Sequence, residues 1–185
     1  MASGPSILLD RATVLDALTE LVAALRDRGV AATIQIVGGA AINLGYDLGR
    51  PPTVDVDAFV APAGEILEVV AAVAAGRGWR TDWLNDKALA FASHHDVPQD
   101  WTVVIEDGPV VVSIASAELL FAMKANACRG ARDGRDLLVL ADRCGITTIG
   151  DAEAVFDRYF PHDVFDQKGL RWLRAHFLGE NPFDV

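Results

Sequence analysis

At 185 residues the chain is long enough for one sizeable hydrophobic core and too short for two full catalytic domains. Its net charge of −10 argues against indiscriminate nucleic-acid binding, because affinity for phosphate comes from clustered Lys and Arg. No apolar run approaches the roughly 20 residues of a membrane span, and the first residues do not resemble a secretory signal. We therefore expect a cytoplasmic protein that makes no contact with a membrane.

The first part of the chain predicts alternating helices and strands. Apolar residues from Val14 to Leu25 recur on one face of a helix that Asp10 or Thr13 caps and Gly29 ends. The elements predicted after it are a β-branched strand over 32–37, a short helix over 40–48, a strand over 53–61 and a buried helix over 64–75.

The rest of the chain predicts strands first and helices last. Strand candidates cover 79–84, 88–93, 101–105 and 110–115, and Asp107-Gly108 is a typical hairpin turn. Helices are predicted over 116–128 and 132–143, followed by two more from 151 onward. The pattern indicates an α+β or mixed α/β fold, with a mixed sheet flanked by helices over 1–115 and a C-terminal helical cap over 116–185 packed on that core.

Two aspartates alternate with valine in the predicted strand 53–61. Residues i and i+2 of a strand point to the same side, so the carboxylates of Asp55 and Asp57 face a common volume. Like charges this close repel each other, and Mg²⁺ binds one or two carboxylates together with water and substrate phosphates. The spacing predicts a metal or catalytic site, with a solvated strand edge as the alternative.

Two adjacent glycines, Gly38 and Gly39, stand where strand 32–37 meets the next helix. Such a pair permits unusual backbone angles and lets amide N–H groups approach a bound anion, assisted by the helix N-terminus. An ordinary turn also uses glycines of this kind. Combined with the two aspartates, however, the pair predicts the second half of a site for a nucleotide and Mg²⁺.

The chain resembles the nucleotidyltransferase superfamily, whose GG…R-x-T-x-D-x-D signature is similar to the series Gly38, Gly39, Arg50, Thr53, Asp55 and Asp57. More narrowly, it is similar to the AbiEii-like and MenT-like branch, the toxins of bacterial type IV toxin–antitoxin systems. Segment 116–145 resembles the helical K-x-x-A-x-R…R-D element of that branch through Lys124, Ala127, Arg129, Arg135 and Asp136.

The resemblance implies a fold and a reaction. The fold is a nucleotidyltransferase-like mixed sheet, and the reaction transfers a nucleoside monophosphate from an NTP to an acceptor hydroxyl with release of pyrophosphate. In these toxins the implied acceptor is the 3′ end of tRNA, and an antitoxin protein is the implied partner. The protein itself has little covalent chemistry to perform, since metal binding and in-line positioning lower most of the barrier.

The resemblance also implies roles for individual residues. Asp55 and Asp57 would hold Mg²⁺ and activate the acceptor hydroxyl, while the two glycines would border the triphosphate. Lys124 would neutralise phosphate charge, and Asp136 would complete the acidic cluster or position that lysine. Substrate contacts are implied for the remaining positions that match, which are Arg50, Thr53, Arg129 and Arg135.

Three positions depart from the family pattern. Many members carry a third carboxylate on the strand corresponding to 110–115, where this chain offers only Ser113. Pro51-Pro52 adds one residue between Arg50 and the threonine, and Val139 stands where a second helical aspartate is common. Two alternatives therefore stay open: a nucleotide-binding or protein-interaction module without turnover, and a transferase that acts on a protein or a small molecule.

The other notable residues predict structure. Cys128 and Cys144 lack the spacing of a disulfide framework or a zinc site and are expected to be buried thiols. His94-His95-Asp96 predicts a loop. Five basic residues within 124–143 form the one stretch dense enough for a local RNA contact, with a solvated helix face as the alternative.

Overall fold

The computed structural model describes residues 7–93, 95 and 97–179. Within them the protein is mixed α+β, with one five-stranded mixed sheet and seven α-helices. The chain divides into two compact units, Met1–Ala90 with Trp101–Ala115 and Phe91–Asp100 with Ser116–Val185. Segment 91–100, which the sequence prediction placed in the first domain, thus belongs to the second unit. No helix of the described residues is long and apolar enough to cross a bilayer.

The first unit contains the sheet and three helices. Its elements are α1 Arg11–Asp27, β1 Ala32–Ile36, α2 Gly38–Gly45, β2 Val56–Ala61, α3 Ala63–Arg77, β3 Leu84–Asn85, β4 Trp101–Asp107 and β5 Val110–Ala115. The strand order is β3-β2-β1-β5-β4. The central strand β1 runs parallel to β5 and antiparallel to β2, while β3 is parallel to β2 and β4 antiparallel to β5.

One face of the sheet forms the core of this unit. Its side chains come from alternate residues of the three central strands and are almost fully buried: Ile34, Ile36, Val56, Ala58, Val112 and Ile114. Helix α1 packs against β5 and α3, and it begins where the side chain of Asp10 accepts a hydrogen bond from Thr13 N at 2.8 Å. The apolar stripe predicted for this helix is buried along its length.

Three predicted strands start later, become shorter or are absent in the structure. The predicted strand 53–61 begins only at Val56, because Thr53 pairs instead with Leu9 in an isolated antiparallel bridge. Strand 79–84 shortens to Leu84–Asn85. The predicted strand 88–93 was wrong: a 3₁₀ turn covers Lys87–Phe91, starting where the side chain of Asn85 accepts a hydrogen bond from Lys87 N at 3.1 Å.

The second unit is helical. It contains α4 Ala117–Asn126, α5 Ala131–Arg143, α6 Ile149–Tyr159 and α7 Gln167–Leu178. Helix α5 packs against α4 and α7, and the ring of Trp172 on α7 lies directly on Gly134 of α5, where a side chain would collide with it. Leu170 and Leu173 turn into the unit, so the opposite side of α7 faces outward.

Candidate active site

The site predicted from Gly38 and Asp57 lies where β1 and β2 begin to separate. The last paired residues of these strands are Ile36 and Ala58, and one step further Val37 N donates to Asp57 O at 2.9 Å. The chain then enters α2 at Gly38, whose φ of +63° is a left-handed conformation that favours glycine. The helix therefore starts at the glycine pair, two residues before the predicted start at 40.

The carboxylate of Asp57 rests against the glycine pair. A methyl group added at Gly38 would lie 3.2 Å from Asp57 Oδ2, so the side chain of Asp57 occupies the space that a larger residue would fill. Asp57 is half-buried, and its backbone is held in β2. The fold thus brings the second aspartate of the motif to the first glycine.

Arg50 rests against the second glycine. A methyl group at Gly39 would lie 2.7 Å from Arg50 Nη2, and only 7% of the arginine is exposed. Asn43 Nδ2 donates to the carbonyl oxygen of Arg50 at 3.1 Å and so ties this loop to α2. The additional proline after Arg50 does not prevent its guanidinium from reaching the glycine pair.

Thr53 and Asp55 are placed differently from the prediction. The backbone of Thr53 is hydrogen-bonded to Leu9: Leu9 N donates to Thr53 O at 2.7 Å, and Thr53 N donates to Leu9 O at 3.0 Å. The side chain of Thr53 is buried. Asp55 is half-buried but lies one residue before β2. Its charge helps to raise the pKa of Arg80, although the hydrogen bond and charge of Asp82 contribute more. The two aspartates are thus not both held by one strand.

Asn85 is a polar residue of this corner that the sequence analysis missed. Strand β3 pairs Asn85 with Asp57, and directly paired residues of neighbouring strands point to the same face of a sheet. Asn85 is 5% exposed, and its Nδ2 has no hydrogen-bond partner. The only sequence signal was a polar residue directly after the apolar pair Trp83-Leu84, which by itself does not indicate a site.

The fit of Mg²⁺ to this corner depends on the two aspartates. Ser113 of β5 pairs with Gln35 of β1, and Gln35 pairs with Phe59 of β2. Because Phe59 is two residues after Asp57, Ser113 and Asp57 lie on the same face of the sheet. The same sheet face therefore carries a serine and no third carboxylate on β5. Among the described residues no group of three or more acidic, His or Cys side chains is arranged for a metal. Mg²⁺ needs one or two carboxylates and obtains its other ligands from water and phosphate, and Asp57 places one carboxylate at this corner.

A second group of predicted site residues lies in the helical unit around Lys124. Its Nζ forms ion pairs with Asp133, and with Asp136 Oδ2 at 3.0 Å. All three side chains are largely buried, with 12%, 9% and 6% exposed respectively. The motif matched Lys124 and Asp136, whereas Asp133 was missed because the acidic residues of an exposed-looking helix gave no sign of which would turn inward.

The charges in this cluster set the protonation of Asp133. Burial by itself would raise its pKa, but the hydrogen bond and charge of Lys124 and the backbone N–H of Arg129 hold the pKa below the ordinary value. Arg129 N donates to Asp133 Oδ2 at 3.0 Å, while its guanidinium is largely exposed. Arg135 is exposed on α5. Lys124 therefore neutralises protein carboxylates and joins α4 to α5.

The second unit also contains an open cleft of about 470 Å³, lined by residues that include Asp100, Ser116, Cys144 and Tyr159. The hydroxyls of Tyr159 and Ser116 both donate to Asp100 Oδ1, at 2.5 and 3.2 Å. Burial raises the pKa of the Cys144 thiol to about 12, which keeps it protonated and unreactive at neutral pH. Asp100, Ser116 and Tyr159 thus bond to one another, and the residues that line the cleft include none of the predicted site residues.

No protein-family model matches the sequence, and neither a curated protein nor a solved structure is detectably similar to it. The resemblance to nucleotidyltransferases therefore stays a prediction that rests on the sequence motifs alone.

Proposed function

We propose that the protein is a Mg²⁺-dependent nucleotidyltransferase that transfers a nucleoside monophosphate from an NTP to an RNA hydroxyl, with the 3′ end of tRNA as the acceptor. The observation that carries this proposal is the contact of the Asp57 carboxylate with Gly38 at the start of α2. A helix N-terminus that binds anions and a carboxylate that binds a cation or accepts a proton meet there. A toxin paired with an antitoxin protein is the biological role that we propose for this activity.

Each group in this corner has a part in the reaction. The N–H groups at the start of α2 and the guanidinium of Arg50 bind triphosphate oxygens. Asp57 accepts the proton of the acceptor hydroxyl, whose oxygen forms a bond to the α-phosphorus while the bond to the bridging oxygen breaks and pyrophosphate leaves. Mg²⁺ held by Asp55 and Asp57 would neutralise charge on the phosphates.

The distribution of ion pairs supports RNA as the acceptor. In the first unit Arg26, Arg28, Arg77, Arg80 and Lys87 each lie next to a carboxylate, and Arg11 is an exposed cation without an ion pair among the described residues. Helix α7 differs: among the described residues Lys168, Arg171 and Arg174 have no acidic partner, and the helix contains no Asp or Glu. We call these three residues the basic ridge.

The geometry of the basic ridge suits a phosphate backbone. The i, i+3, i+6 spacing places its three cations along one side of α7, away from the buried residues Leu170 and Leu173. The apolar side of the helix is largely used inside the unit, and Leu178 at its C-terminus is the large apolar residue of α7 that is mostly exposed, which is too little apolar surface to bind a lipid bilayer. In a chain with a charge of −10, cations without acidic partners provide a local surface for RNA.

The proposal is tested with purified protein, Mg²⁺, total tRNA and each of the four NTPs labelled at the α-phosphate. We expect labelled tRNA and released pyrophosphate with wild type, and at least about a 100-fold lower rate with Asp57→Asn, which removes the charge at nearly the same size. Asp47→Asn, a partly exposed carboxylate in the loop after α2, is the matched control and should retain the rate. Absence of labelling with all four NTPs would contradict the proposal.

A second candidate is a module of the same fold that binds nucleotides without turnover. Ser113 favours it, because the sheet face next to Asp57 lacks a third carboxylate on β5. Calorimetry with Mg²⁺ and each NTP distinguishes the two candidates: binding without pyrophosphate release supports the module, while pyrophosphate release excludes it.

A further inference from the structure

Asn85 is a buried side chain whose hydrogen bonds the fold leaves incomplete. It is 95% buried, with 5% of its surface exposed, and its Nδ2 is the buried side-chain atom of the described residues that has no hydrogen-bond partner. A buried N–H group without an acceptor costs free energy, so native proteins contain few of them. An acceptor atom from outside the protein would complete this amide.

The orientation of the amide is fixed by its neighbour. Asn85 Oδ1 accepts a hydrogen bond from Lys87 N at 3.1 Å. Rotating the amide by half a turn would direct Nδ2 at that N–H group and set two donors against each other. The free group is therefore a donor, which requires an acceptor and excludes a metal cation as its direct partner.

The position of this donor indicates what kind of acceptor it meets. Asn85 is paired with Asp57 across β2 and β3, and Asp57 lies against Gly38 while Arg50 lies against the following glycine. The amide thus shares a corner of the sheet with a helix N-terminus and a guanidinium, both of which attract anions. A charged phosphate oxygen is the acceptor that suits all three groups.

We propose that Asn85 Nδ2 donates a hydrogen bond to a triphosphate oxygen of the bound NTP. This inference rests on the proposed function, since it assigns the nucleotide to the corner at Asp57. It makes Asn85 a residue that binds phosphate, and it accounts for a buried donor that has no acceptor among the described residues.

The experiment uses the leucine variant Asn85→Leu, which is similar in size and has no donor. Calorimetry with Mg²⁺ measures the affinity for inorganic tripolyphosphate, for NTP and for the corresponding nucleoside. We expect the affinities for tripolyphosphate and NTP to fall about 10-fold to 100-fold, as for a lost hydrogen bond to a charged group. The affinity for the nucleoside should not change.

Asn43→Leu is the matched control for folding. Asn43 is also buried, but its Nδ2 donates to the carbonyl oxygen of Arg50. We expect the leucine at position 43 to lower the Tm more than the leucine at position 85, which loses the hydrogen bond from Lys87 N but also removes a buried donor without a partner. An unchanged affinity for tripolyphosphate in the folded leucine variant at position 85 would overturn the inference.

If Asn85→Leu does not fold, Asn85→Asp replaces it, because the aspartate still accepts the hydrogen bond from Lys87 N. We expect this variant to bind tripolyphosphate at least 10-fold more weakly, and unchanged binding would overturn the inference.

Failure of this inference is distinguishable from failure of the proposed function. If Asp57→Asn abolishes pyrophosphate release while Asn85→Leu binds NTP normally, only the inference fails; if wild type binds tripolyphosphate through Asn85 but releases no pyrophosphate, only the proposed function fails.

Discussion

The guanidinium of Arg50 occupies the space that a side chain at position 39 would need. We expect Gly39→Ala to lower the free energy of unfolding by about 1 to 3 kcal/mol, as overpacking does, since the buried arginine has little room to move. The same substitution should weaken NTP binding by displacing Arg50. Urea unfolding followed by circular dichroism measures the first effect, and calorimetry measures the second.

Gly76→Ala provides the control at this scale. Gly76 lies inside α3, and nothing lies within 4 Å of an added methyl group. Alanine is a better helix former than glycine, so this variant should be more stable by about 0.5 to 1 kcal/mol and should bind NTP normally. A Gly39→Ala protein as stable as Gly76→Ala would show that Arg50 is not packed on the glycine pair.

Lys124 of α4 forms ion pairs with two aspartates of α5, so its substitution should change the stability of the contact between these helices. Lys124→Met removes the buried cation that Asp133 and Asp136 share, and we expect the free energy of unfolding to fall by about 3 to 5 kcal/mol. Arg129→Ala is the control, because that guanidinium is 83% exposed and should contribute less than about 1 kcal/mol. Denaturant midpoints of both variants decide whether lost activity in Lys124 variants reflects lost folding.

The same cluster predicts how stability depends on pH. The pKa of Asp133 is lower in the folded protein than its ordinary value, which is about 3.9 for an aspartate. Its contribution is therefore complete above that value and is lost as the pH falls through the lower, folded pKa. The difference in stability between wild type and Lys124→Met should narrow below about pH 4, and a constant difference from pH 7 to pH 3 would contradict this assignment.

The sequence predicted some elements well because their own residues determine them. Strand 110–115 is a β-branched run whose ends match the structure, and Asp10 caps α1 as one of two expected residues. The start of β2 was missed because it depends on Leu9, which takes the backbone of Thr53 from 44 positions away. Asn85 was missed for a similar reason: its importance arises from its pairing with Asp57 and from a buried Nδ2 group without an acceptor, and a local sequence pattern shows neither.

Acceptor binding is a property of the charge distribution of the whole molecule. We expect the triple variant Lys168→Ala, Arg171→Ala, Arg174→Ala to bind labelled tRNA at least about 10-fold more weakly than wild type at 50 mM salt. The slope of log K against log salt should become shallower by about 2 to 3, since each lost phosphate contact contributes about 0.7 to 0.9. Fluorescence anisotropy over a salt series measures both quantities.

A triple variant of equal charge is the control for this experiment. Arg11→Ala, Arg26→Ala, Arg28→Ala removes three cations at the ends of α1, two of which already pair with carboxylates. It should bind tRNA within about two-fold of wild type, because paired cations attract little additional phosphate. Equal losses in the two triple variants would show that net charge, and not the basic ridge, governs RNA binding.

Because segment 91–100 belongs to the second unit, no single cut in the chain separates the two units. The polypeptide leaves the first unit after Ala90, returns at Trp101 and leaves again after Ala115, so neither unit is one continuous stretch. A fragment starting at Ser116 would lack Asp100, the acceptor for the hydroxyls of Ser116 and Tyr159. A truncation at position 115 therefore cuts the second unit as well as separating it from the first, because it removes Asp100 from its two donors.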